Sequence, residues 1–162
     1  MFKGKSILAI VLWIGSLPAI SSENESRHHI EDLLNQYQRP ITVMEICGHN
    51  SYSLKLAQKY KAGTFVIKSK QGNLVCKTVQ RKALHNVVVL NPTYFNPAII
   101  KILGRCEYFD VVIVHDMPMA GIEGECFIRS LSMLADFVFI EMPAKRSNFD
   151  YTKYGFKTCQ QV

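Results

Sequence analysis

The chain has 162 residues, a length that suits one domain. Apolar residues make up 48 % of the sequence and charged residues 20 %, so the composition excludes a disordered chain and is typical of a globular one. The formal net charge is +6. Because the basic residues are scattered among acids, they give no clear nucleic-acid footprint and are typical of a solvated basic surface.

Five cysteines occur, and none of them belongs to a C-x-x-C pair. An odd number of cysteines cannot all pair within one chain, and a zinc site needs clustered ligands that this spacing does not supply. The sequence therefore predicts no metal site, and its cysteine usage slightly favours a reducing compartment.

The N-terminus has the three-part layout of a secretory signal peptide. Lys3 and Lys5 precede an uncharged run over residues 7–20, and Ala19 and Ser21 resemble the small residues of a cleavage site. The run is short for a bilayer span, which needs about 20 residues, so an uncleaved membrane anchor is the second interpretation. A buried N-terminal helix or strand is the third.

These interpretations predict different locations for the protein. A signal peptide or anchor over residues 1–21 predicts a protein that is secreted, periplasmic or membrane-anchored, because the chain that follows would face outward. If these residues have neither role, the sequence predicts a cytoplasmic protein.

Downstream of the N-terminus, apolar residues recur at helical spacing and at strand spacing in turn. Helical spacing predicts helices over residues 27–38, 52–60, 73–84, 97–103 and 123–134. Short apolar runs rich in β-branched residues predict strands over residues 41–46, 64–67, 86–90, 109–114 and 137–140. Residues 149–158 are long enough to add one more strand.

Strands and helices therefore alternate, and the strands are continuous apolar runs, which belong to sheets covered on both faces. The pattern predicts an α/β fold, with a doubly wound, mostly parallel sheet of about five or six strands and helices on both faces. The sequence then divides into a targeting segment at residues 1–21, a linker and helix at 22–40, the α/β domain at 41–143 and a tail at 144–162.

The turn after the first of these strands resembles motif I of the class I S-adenosylmethionine (SAM)-dependent methyltransferases. Residues 43–57 read V-M-E-I-C-G-H-N-S-Y-S-L-K-L-A, with an acid on a strand ahead of a loop and a helix. Residues 109–116 (F-D-V-V-I-V-H-D) and 134–141 (L-A-D-F-V-F-I-E) resemble the fourth and fifth strands of that family. The resemblance covers residues 41–143. It implies a Rossmann-like fold, SAM as the cofactor, and a methyl acceptor that the sequence does not specify.

The resemblance also implies a site at the carboxyl ends of the strands. Glu45 corresponds to the strand acid that orders the loop, although a buried acid bonded only to backbone groups fits equally well. Asp116 follows the fourth predicted strand and is the catalytic candidate, whereas alternation turns its neighbour His115 to the other face. The cofactor-binding residues implied in this way are Glu45, Cys47, Gly48, His49, Asn50, Ser51, Ser69 and Asn91.

The chain also departs from the family pattern. Cys47, His49 and Ser51 stand where glycines are expected, and each side chain occupies space beside the cofactor. Lys68 and Ser69 stand where an acid should accept hydrogen bonds from the ribose hydroxyls, and an ammonium group can only donate. These departures favour a second hypothesis, a non-catalytic binding or scaffold module that retains the fold.

The family usually has seven strands, more than the five or six predicted for this chain. The missing strands predict an exposed sheet edge near the fourth and fifth predicted strands. Such an edge is open to pairing, so a homodimer is a further prediction.

Overall fold

The computed structural model describes residues 8–14, 20–46, 52–69, 71–90, 109–115, 127, 130–131, 134–143 and 156–159. The helices and strands follow one another in the order β1 (Leu8–Ile14), α1 (Ile20–Asn35), β2 (Thr42–Ile46), α2 (Tyr52–Lys59), β3 (Thr64–Lys68), α3 (Gly72–Arg81), β4 (Val87–Leu90), β5 (Phe109–His115), β6 (Ala135–Pro143) and β7 (Phe156–Cys159).

The strands form one sheet in the order β4-β3-β2-β5-β6-β1-β7, and all the strand pairs among the described residues are parallel. The chain runs outward from β2 to β4 on one side and continues from β5 on the other, which is the doubly wound arrangement. This confirms the predicted fold class. The sheet has seven strands rather than five or six because the N-terminal residues contribute β1 and residues near the C-terminus contribute β7.

The core covers both faces of the sheet. On one face, α2 and α1 pack against β2, β3 and β5 in a cluster that includes Val43, Phe65 and Val111, all with 0 % exposure. The alternate residues of the same strands, such as Met44 and Val112, are also buried. Burial of both sets explains why these strands are continuous apolar runs in the sequence.

The segment with the layout of a signal peptide forms β1 in the structure. Leu8–Ile14 pairs along its whole length with β6 and also pairs with β7, so it lies inside the sheet. A buried strand was one of the interpretations that the sequence left open, and cleavage of residues 1–21 stays a prediction. The helix that follows begins at Ile20 and includes residues 22–26, which the sequence predicted as a linker.

The pairing of β1 also changes the edges of the sheet. The sequence predicted a free edge near the fourth and fifth predicted strands, which are β5 and β6. That prediction is wrong, because β5 lies between β2 and β6, and β1 covers the other side of β6. Among the strands that the structure describes, β4 and β7 are the edge strands. Homodimer formation stays a prediction without this edge as its basis.

The remaining predicted helices agree with the structure where it describes them. The helix predicted over residues 73–84 is α3, which ends at Arg81 because Ala83 adopts a left-handed conformation with φ of 49°. In the helix predicted over 123–134, Phe127 and Leu131 are helical and buried. The helix predicted over 97–103 lies outside the described residues. Within the described part of the chain, none of the helices has the length and apolar character of a membrane-spanning helix.

Candidate functional site

The strand order reverses between β2 and β5, which lie side by side in the centre of the sheet. In open parallel sheets, the crevice beyond the carboxyl ends of two such strands is the usual ligand position. We call this end of the sheet the carboxyl end, and the end where the strands begin the amino end. The sequence predicted its site at the carboxyl end, beyond Ile46 and His115.

Glu45 is the central polar residue of the carboxyl end. Its side chain has 0 % exposure, and its carboxylate accepts hydrogen bonds from the backbone N–H groups of Tyr52 (3.1 Å) and Ser53 (2.9 Å). These are the first two residues of α2, whose N–H groups have no acceptor within the helix. Because the first turn of α2 contains no acid of its own, Glu45 supplies the negative charge that a helix N-terminus favours.

His115 contacts the same carboxylate from the neighbouring strand. Its Nε2 lies 3.1 Å from Oε1 of Glu45, an ion-pair distance rather than a well-aligned hydrogen bond. Glu45 is in register with Ile113, and His115 lies two residues further along β5, so alternation brings both side chains to one face. The sequence interpretation set His115 aside because it points away from Asp116. Alternation gives only the face of each side chain, and the register between β2 and β5 is what brings His115 beside Glu45.

Two opposing effects act on the pKa of Glu45. Burial is the larger single effect and raises the pKa, because a carboxylate loses its hydration in the protein interior. The interaction with His115 and the hydrogen bonds from Ser53 together outweigh burial, so the pKa lies below its usual range. Glu45 is therefore a buried carboxylate that remains ionised at neutral pH.

Lys68 and Ser69 lie at the carboxyl end of β3, next to β2. Lys68 is 6 % exposed and Ser69 is 1 % exposed, so both are interior residues. The hydroxyl of Ser69 accepts a hydrogen bond from the backbone N–H of Gln71 at 3.1 Å, in the turn that leads into α3. The position where the resemblance requires a ribose-binding acid is thus occupied by a buried cation.

The structure brings together only some of the residues predicted for the site. Of the predicted residues, Glu45 and Ser69 lie at the carboxyl end, together with His115 and Glu141, which were not predicted for the site and which are in register on β5 and β6. The other predicted residues lie outside the described part of the chain, and they are Cys47, Gly48, His49, Asn50, Ser51, Asn91 and Asp116.

A second buried acid, Asp110, lies at the amino end of the sheet. It is 3 % exposed and forms a two-pronged contact with the guanidinium of Arg39, in which Nη1 lies 3.1 Å from Oδ2. Oδ2 also accepts hydrogen bonds from the backbone N–H of Thr42 (2.7 Å) and from its hydroxyl (3.2 Å). This network joins the start of β5 to the start of β2. The sequence interpretation used Asp110 only as part of the F-D-V-V pattern.

A surface groove of about 490 Å³ also lies at the amino end. Its polar lining includes Tyr37, Arg39, Tyr60 and Lys61. The guanidinium of Arg39 is bound to Asp110, and the hydroxyl of Tyr60 donates a hydrogen bond to Asn35 at 2.7 Å. Because Arg39 and Tyr60 are engaged within the chain, no ligand is assigned to this groove.

Comparisons with known proteins give one informative result. No protein-family model matches the chain, and no curated protein sequence matches it. Among solved structures, the chain is similar to coclaurine N-methyltransferase bound to N-methylheliamine and SAH, with a TM-score of 0.52 and 19 % sequence identity. The match covers 78 % of this chain and 37 % of that enzyme, so this chain spans little more than a third of its length. At this identity, the similarity supports the shared fold alone.

Proposed function

We propose that this chain is a SAM-dependent methyltransferase domain that binds SAM at the carboxyl end of the sheet and methylates an acceptor of unassigned class. The proposal is supported by the fold, which is similar to that of a methyltransferase crystallised with SAH. It is also supported by the resemblance of residues 43–57 to the SAM-binding motif. The chain would hold SAM across residues 47–53, between β2 and α2.

The observation that carries the proposal is the attachment of α2 to β2 through Glu45. The carboxylate binds the backbone of Tyr52 and Ser53, while Glu45 itself is fixed in the sheet by β3 and β5. Both ends of the connection at residues 47–51 are thereby held at the reversal point of the strand order. This anchoring of the two flanking residues, Ile46 and Tyr52, corresponds to the role of the acid in motif I.

Methyl transfer requires little more than this positioning. The acceptor atom, the methyl carbon and the sulfur of SAM must lie in line, and alignment alone lowers the barrier substantially. A domain that binds SAM and excludes water can therefore be active with few catalytic side chains.

Isothermal titration calorimetry of the full chain with SAM and with SAH tests the proposal. We expect saturable binding of both ligands, which Glu45→Gln weakens because the amide holds α2 less strongly. Asp110→Asn is the matched control, because it changes a buried acid of the neighbouring strand at the opposite end of the sheet. Absence of heat at millimolar SAM, or equal loss of affinity in both variants, would contradict the proposal.

A non-catalytic binding module is the second candidate, and the burial of Lys68 favours it. An ammonium group cannot accept hydrogen bonds from ribose hydroxyls, so the cation removes one of the expected contacts with SAM. The double variant His49→Gly/Ser51→Gly separates the two candidates because it restores glycines to the binding loop. A rise in SAM affinity supports an altered methyltransferase site, whereas an undetectable affinity in both chains supports the binding module.

The location of the protein depends on whether its N-terminal residues are cleaved or retained. We propose that Leu8–Ile14 stays in the folded chain, since its removal would leave β6 and β7 without the strand that pairs with both. Retention favours the cytoplasmic alternative, in which SAM is available to the site. Mass spectrometry of the N-terminus tests this, and a mature chain that begins at residue 22 would contradict it.

A further inference from the structure

The β4 side of the sheet carries basic residues without any acid. Averaged over the whole chain, acids offset most of the basic charge, and on that basis the sequence predicted no clear nucleic-acid footprint. Residues 46–106, however, contain ten of the 19 Lys and Arg residues and none of the 13 Asp and Glu residues. We infer that α2 and α3 bind double-stranded nucleic acid through its phosphate backbone. The inference goes beyond the proposed function and does not require SAM.

The two helices lie side by side on one face of the sheet. Leu54 of α2 and Val75 of α3 pack with Ile67 of β3 in one buried cluster, and Nζ of Lys82 donates a hydrogen bond to Oε1 of Gln58 at 3.4 Å. Because their apolar sides are packed on the sheet, both helices present polar sides to solvent. Among the described residues, the exposed cations of this region, which we call the basic surface, are Lys55, Lys59, Lys61, Lys77, Arg81 and Lys82.

Four of these cations form two short rows. Lys55 and Lys59 are four residues apart on α2, and Lys77 and Arg81 are four residues apart on α3. Residues at this spacing lie on the same side of a helix, about 6 Å apart along its axis. A nucleic-acid backbone that crosses both helices therefore meets several cations at once.

Most of these cations are available to the anions of a partner. Lys59 forms an ion pair with Glu31 of α1, the helix that borders the basic surface. Within the part of the chain that the structure describes, the other five cations form no ion pair. Surfaces that serve only solubility mix charges of both signs, whereas an acid-free surface produces a positive potential that attracts polyanions.

The stability of the helices does not account for the absence of acids. A helix N-terminus favours negative charge and a C-terminus favours positive charge, so Lys59 and Arg81, in the last turns of α2 and α3, stabilise their own helices. Lys55, in contrast, lies in the first turn of α2, and α3 has neither an acid in its first turn nor a side-chain cap. The basic surface thus lacks acids even at positions where they would stabilise its helices.

The exposed apolar residues distinguish nucleic acid from an anionic membrane. A protein that lies on a membrane inserts apolar side chains, and the exposed large hydrophobic residues of the described chain are Leu74 and Val88. Val88 alternates with Val87 and Val89, which pack in the cluster with α3, so Val88 points to the other face of the sheet. Leu74 is then the single large apolar side chain beside the cations, and its neighbour Asn73 has an exposed amide that can donate to phosphate oxygens.

The aromatic residues favour a duplex over a single strand. Single strands are held largely by stacking of their bases on aromatic side chains. Among the described residues 52–90, the aromatic residues are Tyr52, Tyr60 and Phe65, and each of them is buried or half-buried. The hydroxyl of Tyr60 also donates a hydrogen bond to Asn35. Contacts with phosphates remain, and these do not distinguish one base sequence from another.

Fluorescence anisotropy with labelled duplexes measures this binding directly. The full chain is titrated into RNA and DNA duplexes of about 20 base pairs, at salt concentrations between about 50 and 200 mM. We expect both duplexes to bind with a Kd on the order of 10 µM at physiological salt. The slope of log K against log salt should be about −4, which corresponds to about four phosphate contacts. Absence of binding at the lowest salt concentration overturns the inference.

Charge-neutralising variants test whether the two helices carry the binding. Lys77→Gln/Arg81→Gln removes two cations from α3 and keeps good helix-forming residues, and we expect at least about tenfold weaker binding and a slope smaller by about 2. Lys55→Gln should reduce the slope by about 1. The matched control is Lys145→Gln/Arg146→Gln, which removes one Lys and one Arg from outside residues 46–106 and should leave the slope unchanged. Equal losses in the two double variants, with both folded by circular dichroism, would show that net charge alone attracts the duplex and would overturn the inference.

Two other polyanions test the class of the partner. Vesicles of phosphatidylcholine and phosphatidylserine, and poly-glutamate, are titrated with the full chain at the same salt concentrations. We expect the duplexes to bind more tightly than either. Tighter binding to the vesicles would assign the basic surface to a membrane, and equal binding to poly-glutamate would assign it to any acidic polymer, so each result overturns the inference. Calorimetry with SAM measures the proposed function separately, and its failure leaves the duplex binding unaffected.

Discussion

Among the described residues, each end of the sheet buries one carboxylate, on neighbouring strands, and the two carboxylates are satisfied in different ways. At the amino end, Asp110 binds the guanidinium of Arg39 and the backbone and hydroxyl of Thr42. At the carboxyl end, Glu45 binds two backbone N–H groups of α2 and lies beside His115. Both acids are interior, with 3 % and 0 % exposure, so burial alone does not distinguish them.

Asp110 and Glu45 differ in the side chains that they contact. Arg39 is permanently charged and fixed to Asp110 by two contacts, so the amino end has one stable arrangement. The partner of Glu45 on β5 is an imidazole, which unlike a guanidinium exists in neutral and charged forms, and Glu45 itself supplies the negative charge at the N-terminus of α2. Under the proposed function, the carboxyl end is the one that meets a ligand, whereas the network at the amino end joins two strands.

The largest effect that we expect comes from Glu45→Ala. Removal of the carboxylate leaves the buried N–H groups of Tyr52 and Ser53 without an acceptor, and each such group costs about 1–3 kcal/mol. We expect the free energy of unfolding to fall by about 3 kcal/mol and SAM binding to be lost. Urea denaturation and calorimetry measure the two effects. Unchanged stability would contradict the role of Glu45 in holding α2.

Asp110→Asn should have the next largest effect and a different signature. The amide binds the backbone of Thr42 less strongly than a carboxylate does, so the free energy of unfolding should fall by about 2 kcal/mol. SAM affinity should not change, because the network lies at the other end of the strands. A parallel loss of SAM affinity, measured under conditions where the variant is folded, would remove the distinction between the two ends.

Lys68→Glu should strengthen the carboxyl end as a SAM site. A carboxylate at the end of β3 can accept hydrogen bonds from the ribose hydroxyls, so we expect the Kd for SAM to decrease about tenfold, or about 1.4 kcal/mol. Lys68→Met is the control that removes the charge without adding an acceptor. If both variants bind SAM equally well, the lysine blocks the site only through its charge, and the ribose contact is not restored.

The smallest effect concerns Tyr37, beside the amino-end network. Burial, followed by the negative charges of Asp110 and Asp136, raises its pKa from 10.0 to about 12. Folding then favours the protonated phenol, so the contribution to stability is fully present below pH 10 and is lost as the pH rises toward 12. We expect the free energy of unfolding of Tyr37→Phe to fall less than that of wild type between pH 10 and pH 12. Identical pH dependence of the two free energies of unfolding would show that folding does not raise the pKa of Tyr37.

Much of the fold was predictable because it depends on local patterns. The strands that became β2 to β6 were predicted within a few residues, since burial on both faces requires continuous apolar runs. The order of strands and helices also predicted a site at the carboxyl end of the sheet, which stays a prediction. The pairing of Glu45 with His115 was missed because it depends on the register between β2 and β5, and register is a relation between distant segments.

The N-terminal segment is a part of the fold whose structure the sequence alone did not decide. By itself, the sequence determined the alternation of helices and strands and the doubly wound sheet, because periodicity and turn residues act locally. Only the tertiary structure decided that Leu8–Ile14 lies between β6 and β7, because a signal peptide and an interior strand have the same apolar composition. It also decided the partners of Glu45 and Asp110, because a buried charge is satisfied by groups that are distant in the chain.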